Sequence, residues 1–135
     1  GWTFGSHTWG HIRLDSRPLE SVQRDTVRWA EEVGSLVGPT NILFYPHGGR
    51  PDGDDWHSTG PVFQYLQSQG FRIFASVGIN SFSYIKKDIS AVICDRLHPD
   101  GTTLRNGKAL EWYSQFYDAR EIIDLDVRPD LGVTW

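Results

Sequence analysis

The chain has a single cysteine, Cys94, among its 135 residues, so no disulfide can staple it internally. Cys94 ends the apolar run Ala91-Val92-Ile93-Cys94, where a buried, inert thiol is expected rather than a nucleophile. No apolar stretch reaches bilayer length, which leaves no expected transmembrane segment, and no secretory leader pattern occurs. Runs of Lys and Arg are missing too. With 13 Lys+Arg against 17 Asp+Glu the formal net charge is -4, a balance that cannot neutralise a polyanion and sets nucleic acid aside as a partner. Repeats, low-complexity tracts and linkers are also lacking, so 1–135 is expected to be one domain, and an apolar fraction of 39% suffices for a core.

What is present is an alternation of elements. Leu19, Val22, Thr26, Ala30, Val33 and Val37 recur at three- and four-residue spacing, predicting a helix over 18–37 with Pro18 in its first turn, Gly38-Pro39 as its stop and Glu20/Arg24 as an exposed pair. Further helices are expected over 61–69, ended by a left-handed Gly70, and over 105–117, burying Ala109, Leu110, Tyr113 and Phe116. Apolar runs at 41–45, 71–77, 90–94 and 121–125 read as strands, with a further strand around 2–5. Such alternation implies an α/β fold with a mostly parallel sheet, open or closed into a barrel, whose ligands bind at the carboxyl ends of strands. Three segments rich in reactive groups fall on that rim: the turn holding His7 and His11, Tyr45-Pro46-His47, and Asp95 to Asp100.

His7 and His11 are four residues apart, a spacing that stacks two imidazoles on one face of a helical turn. The pair reads either as two surface imidazoles or as half of a site for Zn²⁺ or another divalent transition metal, completed by an oxygen ligand from elsewhere. Asp54-Asp55, the only adjacent pair of aspartates, lies in the Gly/Pro-rich loop 48–60 and reads as a solvated pair; His57 beside it lacks ligand spacing. Trp9, Trp56 and Trp112 each offer an indole face to a sugar ring; Trp112 is expected in a helix core, whereas Trp56 is the better substrate contact.

The stretch Gly5-Ser6-His7-Thr8-Trp9-Gly10-His11 resembles the H-[S/T]-x-x-H metal motif of the polysaccharide deacetylase family, the NodB-homology domain or carbohydrate esterase family four. Ile42-Leu43-Phe44-Tyr45-Pro46-His47-Gly48 is similar to that family's strand ending in an aromatic-Pro-aromatic-Gly turn, and Gly70-Phe71-Arg72-Ile73-Phe74-Ala75 to its later G-[F/Y] strand. The likeness spans about 1–77. It implies a distorted, incomplete (β/α) barrel and a metal-dependent hydrolase that removes N-acetyl or O-acetyl groups from a polysaccharide outside the cell membrane, secreted or at the cell envelope.

On this resemblance His7 and His11 hold Zn²⁺, lowering the pKa of a water from 15.7 to about 7. The backbone N–H of His47 binds the oxyanion, while its ring is left as a substrate contact, an extra ligand or a plain aromatic substitute. Tyr45, Pro46, Trp56 and Arg96 contact substrate, and His98 is the general acid, in competition with Arg96 for the same pocket and with a plain turn at Pro99-Asp100-Gly101. The family's T-F-D-D-G-like motif, which carries the base and the oxygen ligand, is not in this chain. Both are expected from an N-terminal segment of the same domain, and that segment, or another copy of this chain, is expected to cover apolar side chains around 2–5. A non-catalytic carbohydrate-binding or scaffold derivative of the same fold is the other function class the sequence leaves open.

Overall fold

Helix α1 (Leu19–Trp29) begins after Pro18, whose extended backbone serves as N-cap; Glu20 in the first turn and Arg28 in the last both complement the helix dipole. The structure is a computed structural model that describes residues 1–53, 60–77, 84–86 (backbone only), 90–96, 111 and 114–115. The helix continues through a π turn (Ala30–Gly34) into α2 (Ser35–Val37), and Gly38 at φ 89° stops it, as its sequence predicts. The buried stripe differs from the expected one. Val22, Asp25 and Trp29 face inward while Ala30 is exposed, the departure beginning at Asp25, whose carboxylate is satisfied on the buried face by two loop N–H groups. Arg24 donates to Ser21 Oγ at 3.2 Å rather than pairing with Glu20.

Strand β1 (Ile42–Phe44) follows, then α3 (Pro61–Ser68), β2 (Ile73–Val77), β3 (Tyr84–Lys86) and β4 (Ala91–Arg96). The sheet order is β1-β2-β4-β3. β1, β2 and β4 are parallel, with Ile42 opposite Ile73 and Ile73 opposite Val92, whereas the short β3, unmarked by any apolar run, pairs antiparallel to β4. α3 ends in a Schellman motif: Gly70, at φ 96°, donates to Gln67 O, and Phe71 donates to Leu66 O. Leu66 and Phe71 then enter a core with Leu14, Val22, Leu43, Tyr45, Val62, Phe63, Phe74, Ala91 and Ile93. Phe63 and Phe74 stack with ring centroids 4.7 Å apart.

The strand expected around 2–5 is reduced to one parallel rung, in which Ser6 N–H donates to Ile42 O and Phe44 N–H to Ser6 O. Gly5 runs so close over β1 that a Cβ there would lie 2.5 Å from Phe44 Cε2. Trp2 and Phe4 are 91% and 50% exposed. The chain divides into two units, Gly1–Leu97 and His98–Trp135. In the second, Glu111 is helical and accepts a bond from Ser114 Oγ; the remainder of the helix expected over 105–117, and the strand expected over 121–125, lie outside the described residues. Among those described, no helix is long and apolar enough to cross a membrane.

Candidate metal centre at the carboxyl ends of the strands

His7 and His11 sit on a loop rather than on the expected helical turn. Thr8 at φ 60° and His11 at φ 51° are left-handed, a conformation a right-handed helix cannot contain and one that is costly for a β-branched residue. Local hydroxyls take the N–H groups a helix would have used: Thr8 N–H donates to Ser6 Oγ at 3.2 Å and Ile12 N–H to Thr8 Oγ1 at 3.1 Å. Between them, Trp9 and Gly10 donate to the two oxygens of Asp25 on α1, at 2.8 and 2.7 Å. The loop is thus tied down at four peptide groups.

This loop turns the imidazoles toward each other by a different route. Nε2 of His11 lies 3.2 Å from Nε2 of His7, and the rings meet edge to face with centroids 4.7 Å apart. His7 Nδ1 is 2.9 Å from Phe44 O. A carbonyl only accepts, so His7 Nδ1 carries the proton and its Nε2 presents a lone pair toward His11. Two nitrogens bound tetrahedrally to one zinc at 2.0–2.1 Å would be roughly 3.3 Å apart. The observed separation and the carbonyl behind His7 fit that donor set, and among the described residues no group of three His, Cys, Asp or Glu side chains converges to complete it.

His47 and Arg96 reach the same rim. His47 follows β1 in a left-handed turn, φ 55°, and its ring lies edge-on to His11 with centroids 4.5 Å apart. The turn's own bonds are made by Gly48 and Gly49, which donate to Tyr45 O and Pro46 O. Arg96 ends β4 opposite Val77, its guanidinium 5.8 Å from the Phe44 ring centroid. Partial desolvation, then unfavourable electrostatics with His7, His47 and Arg96, holds His11 below the usual imidazole value. The neutral, ligand form of His11 is favoured. Arg50, after the turn, reaches Asp95 of β4 at 3.6 Å and links the turn to that strand.

Two expected substrate contacts are not met by their side chains. Tyr45 extends the ladder of β1, donating to Ala75 O at 2.8 Å, so strand alternation turns it inward beside Leu43 and leaves it 0% exposed. Pro46 is buried with it. Trp9 is fastened to helix α1: its indole N–H donates to Glu32 at 2.8 Å and the Arg28 guanidinium covers its ring at 3.5 Å. Cys94 donates toward Phe74 O, and burial, then the Asp95 charge, pushes its thiol up, away from the thiolate a nucleophile needs. Trp56, His98, Trp112, His57 and the Asp54-Asp55 pair lie outside the described residues.

The residues the sequence left unnoticed are Ser6 and Asp25. A hollow of about 560 Å³ lined by Trp2, Phe4, Pro39 and Gly70 opens at the amino ends of β1 and β2, away from this rim. Comparison with known protein families, with curated proteins and with solved structures finds no match.

Proposed function

We propose that this chain is the carboxyl-terminal part of a metal-dependent polysaccharide deacetylase, with His7 and His11 as two protein ligands of a divalent transition metal, zinc by preference. The observation that carries this reading is the 3.2 Å approach of the two Nε2 atoms with His7 Nδ1 anchored on Phe44 O. When bound, zinc supplies Lewis acidity that polarises an acetamide or ester carbonyl and activates water near neutral pH. His7 and His11 orient that group on the rim. The His47 N–H, outside the turn's own bonds, serves the oxyanion, and the Arg96 guanidinium draws an anionic group toward the site. Trp56 contacts the sugar and His98 donates the proton to the leaving group.

The general base and oxygen ligand are assigned to an Asp pair on an N-terminal segment of the same domain, which seats beside Ser6 and closes an incomplete barrel. Exposed Trp2 and Phe4 next to a single ladder rung support an occupant there. The substrate is an acetylated polysaccharide of the envelope or surroundings. Calorimetric titration tests the metal: Zn²⁺ should bind the chain, and His7→Ala and His11→Ala should abolish binding, whereas equal binding by wild type and His7→Ala overturns the reading. By itself the chain should release ~10²–10⁴-fold less acetate from an N-acetylated oligosaccharide than with the Asp-bearing segment restored, since the base is assigned to that segment. Metal binding without acetate release from the restored domain would point to a carbohydrate-binding derivative instead.

A further inference from the structure

Asp25 stands at the middle of α1, 8% exposed, on the same buried face as Val22 and Trp29. A buried carboxylate is costly unless its oxygens are satisfied. Both are, by peptide groups and not by a cation: Oδ1 accepts Trp9 N–H at 2.8 Å and Oδ2 accepts Gly10 N–H at 2.7 Å. These donors lie midway between His7 and His11. Gly10 permits the approach, since a Cβ there would lie 3.1 Å from Oδ2. Thr8 N–H is held by Ser6 Oγ, Ile12 N–H by Thr8 Oγ1 and the Trp9 indole by Glu32. The main chain of Trp9 and Gly10, at the centre of the span joining the two histidines, is held by Asp25 on helix α1.

We infer that Asp25 is a positioning residue that sets the separation of His7 and His11 by gripping two of the peptide groups between them. This rests on the metal-centre reading above. Charge-assisted bonds to backbone N–H are stronger than neutral ones, and they hold two left-handed residues, Thr8 and His11, in place. Asp25 touches neither substrate nor metal. It acts through the loop.

The test titrates the full chain with Co²⁺, followed by its visible absorption, in wild type, Asp25→Asn and Asp25→Glu, with thermal unfolding recorded beside it. Asp25→Asn turns one acceptor into an N–H donor and should weaken Co²⁺ binding roughly 10–100-fold, the range for residues that orient metal ligands, at a temperature where the variant is folded. Asp25→Glu should restore part of that loss. A folded Asp25→Asn chain with wild-type Co²⁺ affinity overturns the inference. If Asp25→Asn does not fold, Gly10→Ala, which keeps the carboxylate but crowds it, should weaken binding in the same sense, and wild-type affinity there overturns it equally. Should wild type bind no Co²⁺, the metal reading falls by itself, and NMR decides Asp25: a His7–His11 ring-to-ring NOE lost in Asp25→Asn supports the positioning role, and one retained overturns it.

Discussion

Glu32 joins two partners in the π turn that follows helix α1, accepting from Arg28 at 2.6 Å and from the Trp9 indole at 2.8 Å. The Arg28 bond first, then the Trp9 bond, holds its carboxyl below the ordinary value of 4.5. A depressed carboxylate contributes stability that is present above its unfolded-state pKa and lost as pH falls through the folded one. The Trp9 tether should therefore persist as pH drops past 4.5 and release only on further acidification. The Trp9 indole N–H resonance, with Glu32→Gln as the released control, checks this, and an identical pH profile in that variant would refute it. Residue identities were readable at this scale where chemistry is local. His7 and His11 announced themselves by type and spacing, but a left-handed Thr8 leaves no mark in sequence, so the helical turn was the wrong route to the right convergence. Asp25 was unreadable for another reason: its partners are 15 and 16 residues away, beyond any local pattern.

At the scale of elements, α3 was legible because each of its ends has local chemistry. Pro61 opens it and Gly70 closes it. Its N-terminal donors, however, are satisfied from a distance: Asp52 accepts Val62 N–H at 3.2 Å and Phe63 N–H at 2.9 Å. A carboxylate there also meets the positive end of the helix dipole. Asp52→Ala should cost about 1 kcal/mol, the usual loss for a removed cap, and Asp52→Asn less; urea unfolding measures both, and an unchanged midpoint in Asp52→Ala would show the cap to be idle. Helix α1 was legible in extent but not in phase, since Asp25 faces inward on account of partners distant in sequence. β4 was read short by two residues because Asp95 and Arg96 are charged, yet they pair with Ser76 and Val77. β3 escaped notice since three residues are too few to show a period.

For the molecule as a whole, the proposed metal centre links metal binding to folding. A ligand that binds only the folded form stabilises it by RT ln(1 + [L]/Kd), about 2.7 kcal/mol at one hundred times Kd. Zn²⁺ at that excess should raise the urea midpoint of wild type accordingly and leave His7→Ala unmoved; an equal rise in both would locate the metal elsewhere. The parallel order of β1, β2 and β4 bears on time as well as shape. His7 rests on Phe44 O across 37 residues of sequence, and each parallel neighbour is joined only after a crossover has closed. Chains dominated by such distant pairings fold in milliseconds to seconds. The two imidazoles, only four positions apart, can meet a metal in the nascent chain long before that. On the proposed metal reading, zinc present during synthesis would therefore engage a flexible peptide first and its shaped seat last, so that loading and folding run as a race rather than as a sequence.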